Sequence, residues 1–158
     1  MSIDLQSIRS ANQMLDAFHG ESDRGAVLVA TGYLEEQLKV AIKARLQPGR
    51  GLDALLPDKE FGPLSTFEAR AAACHALGII DDYDFRELKL IRKVRNELAH
   101  KWDVSLDDPK ISDWCRELCS KPIEEDGKPL RTKSITPRDN FVLSAVSLLA
   151  KLMRAQSS

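Results

Sequence analysis

Apolar residues recur at intervals of three and four positions along most of this chain, and this spacing constrains its fold more than any other feature. The interval matches the 3.6-residue turn of an α-helix, so each such segment presents one apolar face. We find no convincing strand pattern and no internal repeat. The sequence therefore predicts an all-α fold, a single-domain helical bundle of five to seven helices over residues 1–158.

Residues that cap helices indicate where the predicted helices begin. In chain order the predicted caps are Asp23, Ser65, Asp81, Asp108 and Thr136. Ser65 starts a capping box that Glu68 would complete, and the last two caps each precede a proline, which is favoured at the first helical position. Residues 48–64 and 120–135 are predicted loops. In the first of these, Leu52, Leu55, Leu56, Phe61 and Leu64 are expected to pack against the bundle.

The charge of the whole chain gives no general attraction for nucleic acid. Apolar residues make up 43% and charged residues 30%, the profile of an ordered globular protein, and the net charge is −1. The basic side chains cluster locally, between Arg86 and Lys101. The one candidate helix-turn-helix, at Leu77-Gly78-Ile79-Ile80, follows a nearly uncharged helix, which argues against direct DNA binding.

The three cysteines, Cys74, Cys115 and Cys119, do not form a paired metal-binding pattern, and their number is odd. We expect packed, reduced thiols, with no metal and no cofactor. The chain shows neither a secretory signal nor an apolar run long enough to span a membrane. The expected compartment is the cytosol.

One basic residue of the predicted fourth helix falls on its apolar face. At 100° per residue, with Leu88 at zero, Ile91 lies at about 300° and Arg95 at about 340°. A charged group there must be paired, reach the surface along its own stem, or face another chain. His100 is about 140° away from Arg95, so the two converge only if the helix loosens near Ala99 or if two copies meet in a dimer.

Two interpretations of Arg95-Asn96 and His100 remain open at this point. In the structural one, a carboxylate holds a buried Arg95, and His100 is favoured at the helix end by the dipole. In the functional one, the three side chains form a catalytic or ligand-binding site. Arg70 and Arg92 are the predicted contacts to a ligand or partner, although Arg70 could instead pair with an acidic residue of a neighbouring helix.

Several sequence blocks in fixed order resemble the MltR-like family of mannitol operon repressors. These blocks are Gly62-Pro63-Leu64-Ser65, Phe67, Arg70, Ala76-Leu77-Gly78-Ile79-Ile80, Tyr83, Ile91-Arg92 and Arg95-Asn96-Glu97-Leu98-Ala99-His100. The resemblance is firmest over residues 25–112. It implies an all-helical cytosolic repressor, a regulator of mannitol-type carbohydrate operons. Because no DNA-reading motif is evident, we expect it to act through another regulatory protein.

A narrower resemblance covers only six residues. Arg95-Asn96-x-x-x-His100 is similar to the R-x4-H signature of the HEPN superfamily, which includes metal-independent ribonucleases of toxin and defence systems. This resemblance implies an RNase, or an inactive relative, whose site forms between two protomers. His100 would act as base or acid on the ribose hydroxyl, Arg95 would stabilise phosphoryl charge, and Asn96 would orient the phosphate. Both this geometry and the position of Arg95 predict a homodimer.

Overall fold

Seven α-helices account for most of the residues that the computed structural model describes, which are 5–119, 124–125, 128–129 and 136–157. The helices are α1 (Leu5–His19), α2 (Asp23–Arg45), α3 (Arg50–Leu55), α4 (Phe67–Ala76), α5 (Asp82–His100), α6 (Pro109–Glu117) and α7 (Pro137–Ala155). The predicted all-α bundle is confirmed. One two-residue antiparallel pair, β1 (Glu124–Glu125) with β2 (Lys128–Pro129), was not predicted, because such short strands leave no alternating pattern.

Three of the predicted helix starts are confirmed by their cap residues. Asp81 accepts a hydrogen bond from the Asp84 amide, and the Asp84 carboxylate accepts one from the Asp81 amide, which completes a capping box at α5. Thr136 and Asp139 form the same reciprocal pair at α7. Asp108 is the N-cap of α6, with proline next to it. These local signals set the residues at which α5, α6 and α7 begin.

Two predicted caps are wrong by one residue. The cap of α4 is Thr66, so the predicted box of Ser65 with Glu68 does not form. The cap of α2 is Ser22, and Asp23 is the first helical residue. In both cases a neighbouring hydroxyl occupies the capping position, because runs of polar residues offer more than one acceptable cap.

The helices α2 and α5 are central to the bundle. Helix α2 packs against α1, α4, α5 and α7, while α5 packs against α2, α4, α6 and α7. The largest fully buried side chains are Met14, Phe18, Leu34, Leu38, Ile42, Leu88, Ile91, Leu98, Leu106, Ile111, Leu118 and Phe141. No helix among the described residues is long and apolar enough to cross a membrane.

Phe61, which was predicted to pack inward, lies at the surface instead, and so does one apolar residue of α2. Leu28 on α2 is 38% exposed, and Phe61 in the loop before α4 is 83% exposed. That loop is closed by a hydrogen bond from the Leu64 amide to the Leu55 carbonyl oxygen, 3.0 Å. The turn buries Gly62, where an added Cβ atom would lie 2.4 Å from the ring of Pro57. Phe61, the residue before Gly62, points outward.

Candidate functional site

The helix α5 stays continuous through the Arg95–His100 motif. It ends at His100, and the amide of the cap residue Lys101 donates to the Glu97 carbonyl oxygen at 3.1 Å. The loosening near Ala99 that would bring the two motif side chains together therefore does not occur. Within one chain, Arg95 and His100 remain on different sides of the helix.

Arg95 is half-buried, and its Nη1 donates to the Asn96 Oδ1 atom at 3.5 Å. Among the described residues, no carboxylate lies within ion-pair distance of its guanidinium. The described residues therefore do not supply the carboxylate that the structural interpretation needs for Arg95. His100 is exposed on the last turn of α5. Within the part of the chain that the structure describes, neither side chain forms an ion pair.

The opposite side of the same helix end is well bonded. Arg24 of α2 donates to the Ala99 carbonyl oxygen at 3.1 Å, which satisfies one of the last carbonyls of α5. Glu97 pairs with Lys101 and, at 3.6 Å, with Lys110. The hydrogen bond from Lys101 is the main cause that lowers the pKa of Glu97, and the same bond raises the pKa of Lys101.

Arg70 donates to two backbone carbonyls rather than to a carboxylate. Its Nε lies 2.8 Å from the Leu64 oxygen and its Nη1 lies 3.1 Å from the Glu35 oxygen. The side chain thus ties α4 to the preceding loop and to α2. A contact from Arg70 to a ligand or partner stays a prediction.

Arg92 lies beside an open cleft between α4 and α5, with a volume of about 230 Å³. Its Nη2 contacts the Glu68 Oε2 at 3.1 Å across the mouth of this cleft, and both side chains are substantially exposed. The residues that line the cleft are Phe67, Glu68, Ala71, Phe85, Leu88, Lys89, Arg92 and Lys93. The predicted contact residue Arg92 is thus at an accessible surface depression.

The two lysines at this cleft contact aromatic rings. Lys89 Nζ is 4.4 Å from the centre of the Phe85 ring, and Lys93 Nζ is 5.9 Å from that of Trp114 on α6. No carboxylate of the described residues lies within 4.0 Å of either ammonium group. The sequence shows the basic run here, but both aromatic partners were missed. Phe85 is four residues before Lys89 on α5, a spacing at which side chains are neighbours, whereas Trp114 is on α6 and no helical spacing links it to Lys93.

The cysteine side chains are packed and reduced, as expected. Burial raises the pKa of Cys74 and of Cys115 to about 12, and that of Cys119 to about 11. Such thiols stay protonated at neutral pH and are poor nucleophiles. Within the described ranges, no three metal-ligating side chains lie together.

No family model and no curated protein matches the sequence. Among solved structures, the chain is similar to one in the X-ray structure of the MtlR-HPr complex from Escherichia coli. The likeness covers 90% of this chain and 97% of that chain, with a TM-score of 0.67 and 20% sequence identity. At this identity the comparison establishes an MtlR-like fold.

Proposed function

We propose that this protein is a cytosolic regulator of the MltR type, a repressor of a mannitol-type carbohydrate operon that acts by binding another regulatory protein. The observation that carries the proposal is the fold shared over nearly the full length of a chain whose structure was solved in a complex with HPr. The blocks that resemble the MltR-like family lie between Gly62 and His100 and support the same role. HPr is therefore the first partner to test.

The surface of α5 supports protein binding better than DNA reading. The face that includes Lys89, Arg92 and Lys93 surrounds a cleft with an apolar floor, which a nucleic-acid backbone would leave unfilled. A recognition helix would instead project its polar residues into a groove of the DNA. In the bundle α5 is central and packs on four other helices, so much of its surface is unavailable to the major groove.

The test combines a binding measurement and a promoter assay. Titration calorimetry with HPr from the organism that encodes this chain should give a saturable complex, while the purified protein should not shift promoter DNA of the regulated operon. Deletion of the gene should raise transcription of that operon. A specific promoter shift by the protein alone, or the absence of both HPr binding and any transcriptional change, would overturn the proposal.

We also propose that the protein is a homodimer. Arg95 is half-buried and forms no ion pair with a described carboxylate. Leu28 is 38% exposed and lies one turn after Arg24, which bonds to the end of α5. A second copy seated on α2 and α5 would cover both. Light scattering at high micromolar concentration should give twice the monomer mass of 17.6 kDa, and a monomer mass there would refute the dimer.

A HEPN-type ribonuclease, or an inactive relative, is the second candidate function. The observation in its favour is that Arg95 and His100 form no ion pair with a described carboxylate, so both are available to a second protomer. In that case Asn96, which already contacts Arg95, would orient the guanidinium towards a phosphate. RNA cleavage in EDTA tests this candidate.

A further inference from the structure

The cleft between α4 and α5, here called the α4–α5 cleft and lined by the residues named above, combines an apolar floor with a basic rim. We propose that it binds an acidic segment of a partner protein, which inserts one apolar side chain and places carboxylates beside Lys89 and Lys93. This inference rests on the proposed function, because it assigns the surface and the chemistry by which the regulatory partner is bound.

The floor and the size of the cleft define the apolar part of the partner. Phe67, Ala71 and Leu88 are at most 5% exposed, and the half-buried Phe85 forms a wall. The volume of about 230 Å³ is below the roughly 300–1,000 Å³ that small-molecule sites occupy. The cleft therefore suits one large aliphatic or aromatic side chain that projects from a protein segment.

The rim defines the charge of the partner. Three cations line the cleft, Lys89, Arg92 and Lys93, against the single carboxylate of Glu68, in a chain whose net charge is −1. The Phe85 ring, which is a wall of the cleft, lies 4.4 Å from the Lys89 ammonium group, and cation–π attraction favours keeping that group near the cleft. Lys93 instead lies 5.9 Å from the ring of Trp114 on α6, which is not among the lining residues. Carboxylates of an arriving segment would meet Lys89 and Lys93, whose charges no described carboxylate neutralises, and this favours acidic partners and speeds their association.

The ion pair of Arg92 with Glu68 connects α5 to α4 across the mouth. The two side chains are 40% and 62% exposed, so water screens the pair and its rupture costs little. A partner carboxylate would compete with Glu68 for the Arg92 guanidinium. Replacement of Glu68 by glutamine should therefore increase the affinity for an acidic partner.

The first experiment uses synthetic peptides with the full-length protein. The probe is Gly-Glu-Asp-Leu-Glu-Asp-Gly, compared with a version in which serine replaces leucine, a version with neutral amides, and a thymidine oligonucleotide. In an NMR titration, only the first peptide should shift the backbone amides of Phe85, Lys89 and Lys93 in a saturable way. Equal shifts by all three peptides, no shift at these amides, or tighter binding of the oligonucleotide would overturn the inference.

Charge variants then connect the peptide site to the proposed partner. Lys89→Glu with Lys93→Glu should weaken peptide binding by about tenfold or more. Lys59→Glu with Arg154→Glu is the matched control, because it changes the net charge equally at exposed residues outside the cleft. Glu68→Gln should instead strengthen binding by about threefold. If the lysine double variant loses its thermal transition, Lys89→Gln with Lys93→Gln replaces it.

The outcomes separate this inference from the proposed function. If HPr binds wild type and the lysine double variant equally, and the peptide does not bind, the α4–α5 cleft is not the docking site while the regulatory proposal stands. If the acidic peptide binds the cleft but HPr does not bind the protein, the cleft assignment stands and HPr is the wrong partner.

Discussion

Two regions of the molecule treat their cations in opposite ways. Where α7 begins, the Arg138 guanidinium bonds the Asp23 carboxylate at 2.5 Å and the Phe18 and Glu21 carbonyl oxygens at 2.7 and 3.0 Å, and it lies 4.6 Å from the centre of the Phe18 ring. In the α4–α5 cleft, the Lys89 ammonium group lies beside an aromatic ring and forms no ion pair with a described residue. A cation that donates to several protein acceptors stabilises the fold, whereas one without an anionic partner is available for binding.

The largest effect should come from the buried stripe of the helix that borders the cleft. Ile91 is 0% exposed, and Ile91→Ala should lower the free energy of unfolding by about 2–5 kcal/mol through lost burial and a residual cavity. Leu88→Ala should behave alike. Lys89→Ala, on the exposed side of the same helix, should stay within about 0.5 kcal/mol. Urea denaturation measures all three, and similar losses for Ile91 and Lys89 would break the distinction.

Removal of Arg138 should have the next largest effect. Arg138→Ala deletes a partly buried ion pair and two bonds to carbonyl oxygens at the end of α1, at a cost of about 2 kcal/mol. Arg154, an exposed arginine on the same helix, is the control and should cost about 0.5 kcal/mol or less. Equal thermal stability of the two variants would show that the bonds of Arg138 contribute nothing net.

Substitutions in the Arg95–His100 motif of α5 should change the free energy of unfolding only slightly. Because Arg95 contacts Asn96 at 3.5 Å rather than a carboxylate, Arg95→Ala should cost about 1 kcal/mol or less, and His100→Ala about as little. The regulatory proposal expects no cleavage of single-stranded RNA in EDTA by wild type. Cleavage that both variants abolish, with unchanged thermal melts and dimer, would establish the ribonuclease instead.

The sequence predicts six of the seven described helices, because their signals are local, but it misses the short helix α3 within the predicted loop 48–64. Periodic apolar residues and caps such as Asp81 and Thr136 act within one or two turns, so α5 and α7 start where predicted. The exposure of Phe61 depends on a tertiary turn closed between Leu55 and Leu64, which no periodicity encodes. Phe61 was accordingly predicted to pack and does not.

The candidate site was predictable only in part, for a related reason. The helical count places Arg95 on the apolar face, and it is half-buried, but the identity of its partner depends on what packs opposite. Likewise the basic run on α5 is visible in the sequence, yet the α4–α5 cleft exists only because Phe67 and Ala71 of α4 pack beside it. Which basic side chains find partners within the fold therefore depends on residues that are distant in the sequence.

The smallest expected effect is a pH dependence of stability that distinguishes a lysine in an ion pair from a lysine without one. Lys151 bonds the Asp84 carboxylate and lies 3.5 Å from that of Asp81. Burial alone would lower the pKa of Lys151, but the hydrogen bond and charge of Asp84 outweigh it and raise the pKa above 10.5. The folded state then binds this proton more tightly than the unfolded state, so the stabilisation is complete below pH 10.5 and is lost as the pH rises through the folded value. The side chain is 37% exposed, so water screens the pair and the effect is modest.

The stability difference between wild type and Lys151→Met, followed by urea denaturation, should therefore be largest near neutral pH and should shrink above pH 10.5. Lys89→Met, at a lysine with an aromatic contact and no described carboxylate, is the control, and its difference from wild type should not change with pH in this way. A pH-independent difference for Lys151→Met would show that its ion pair contributes no net stability, so that Lys151 would resemble Lys89 and Lys93 of the cleft rather than Arg138.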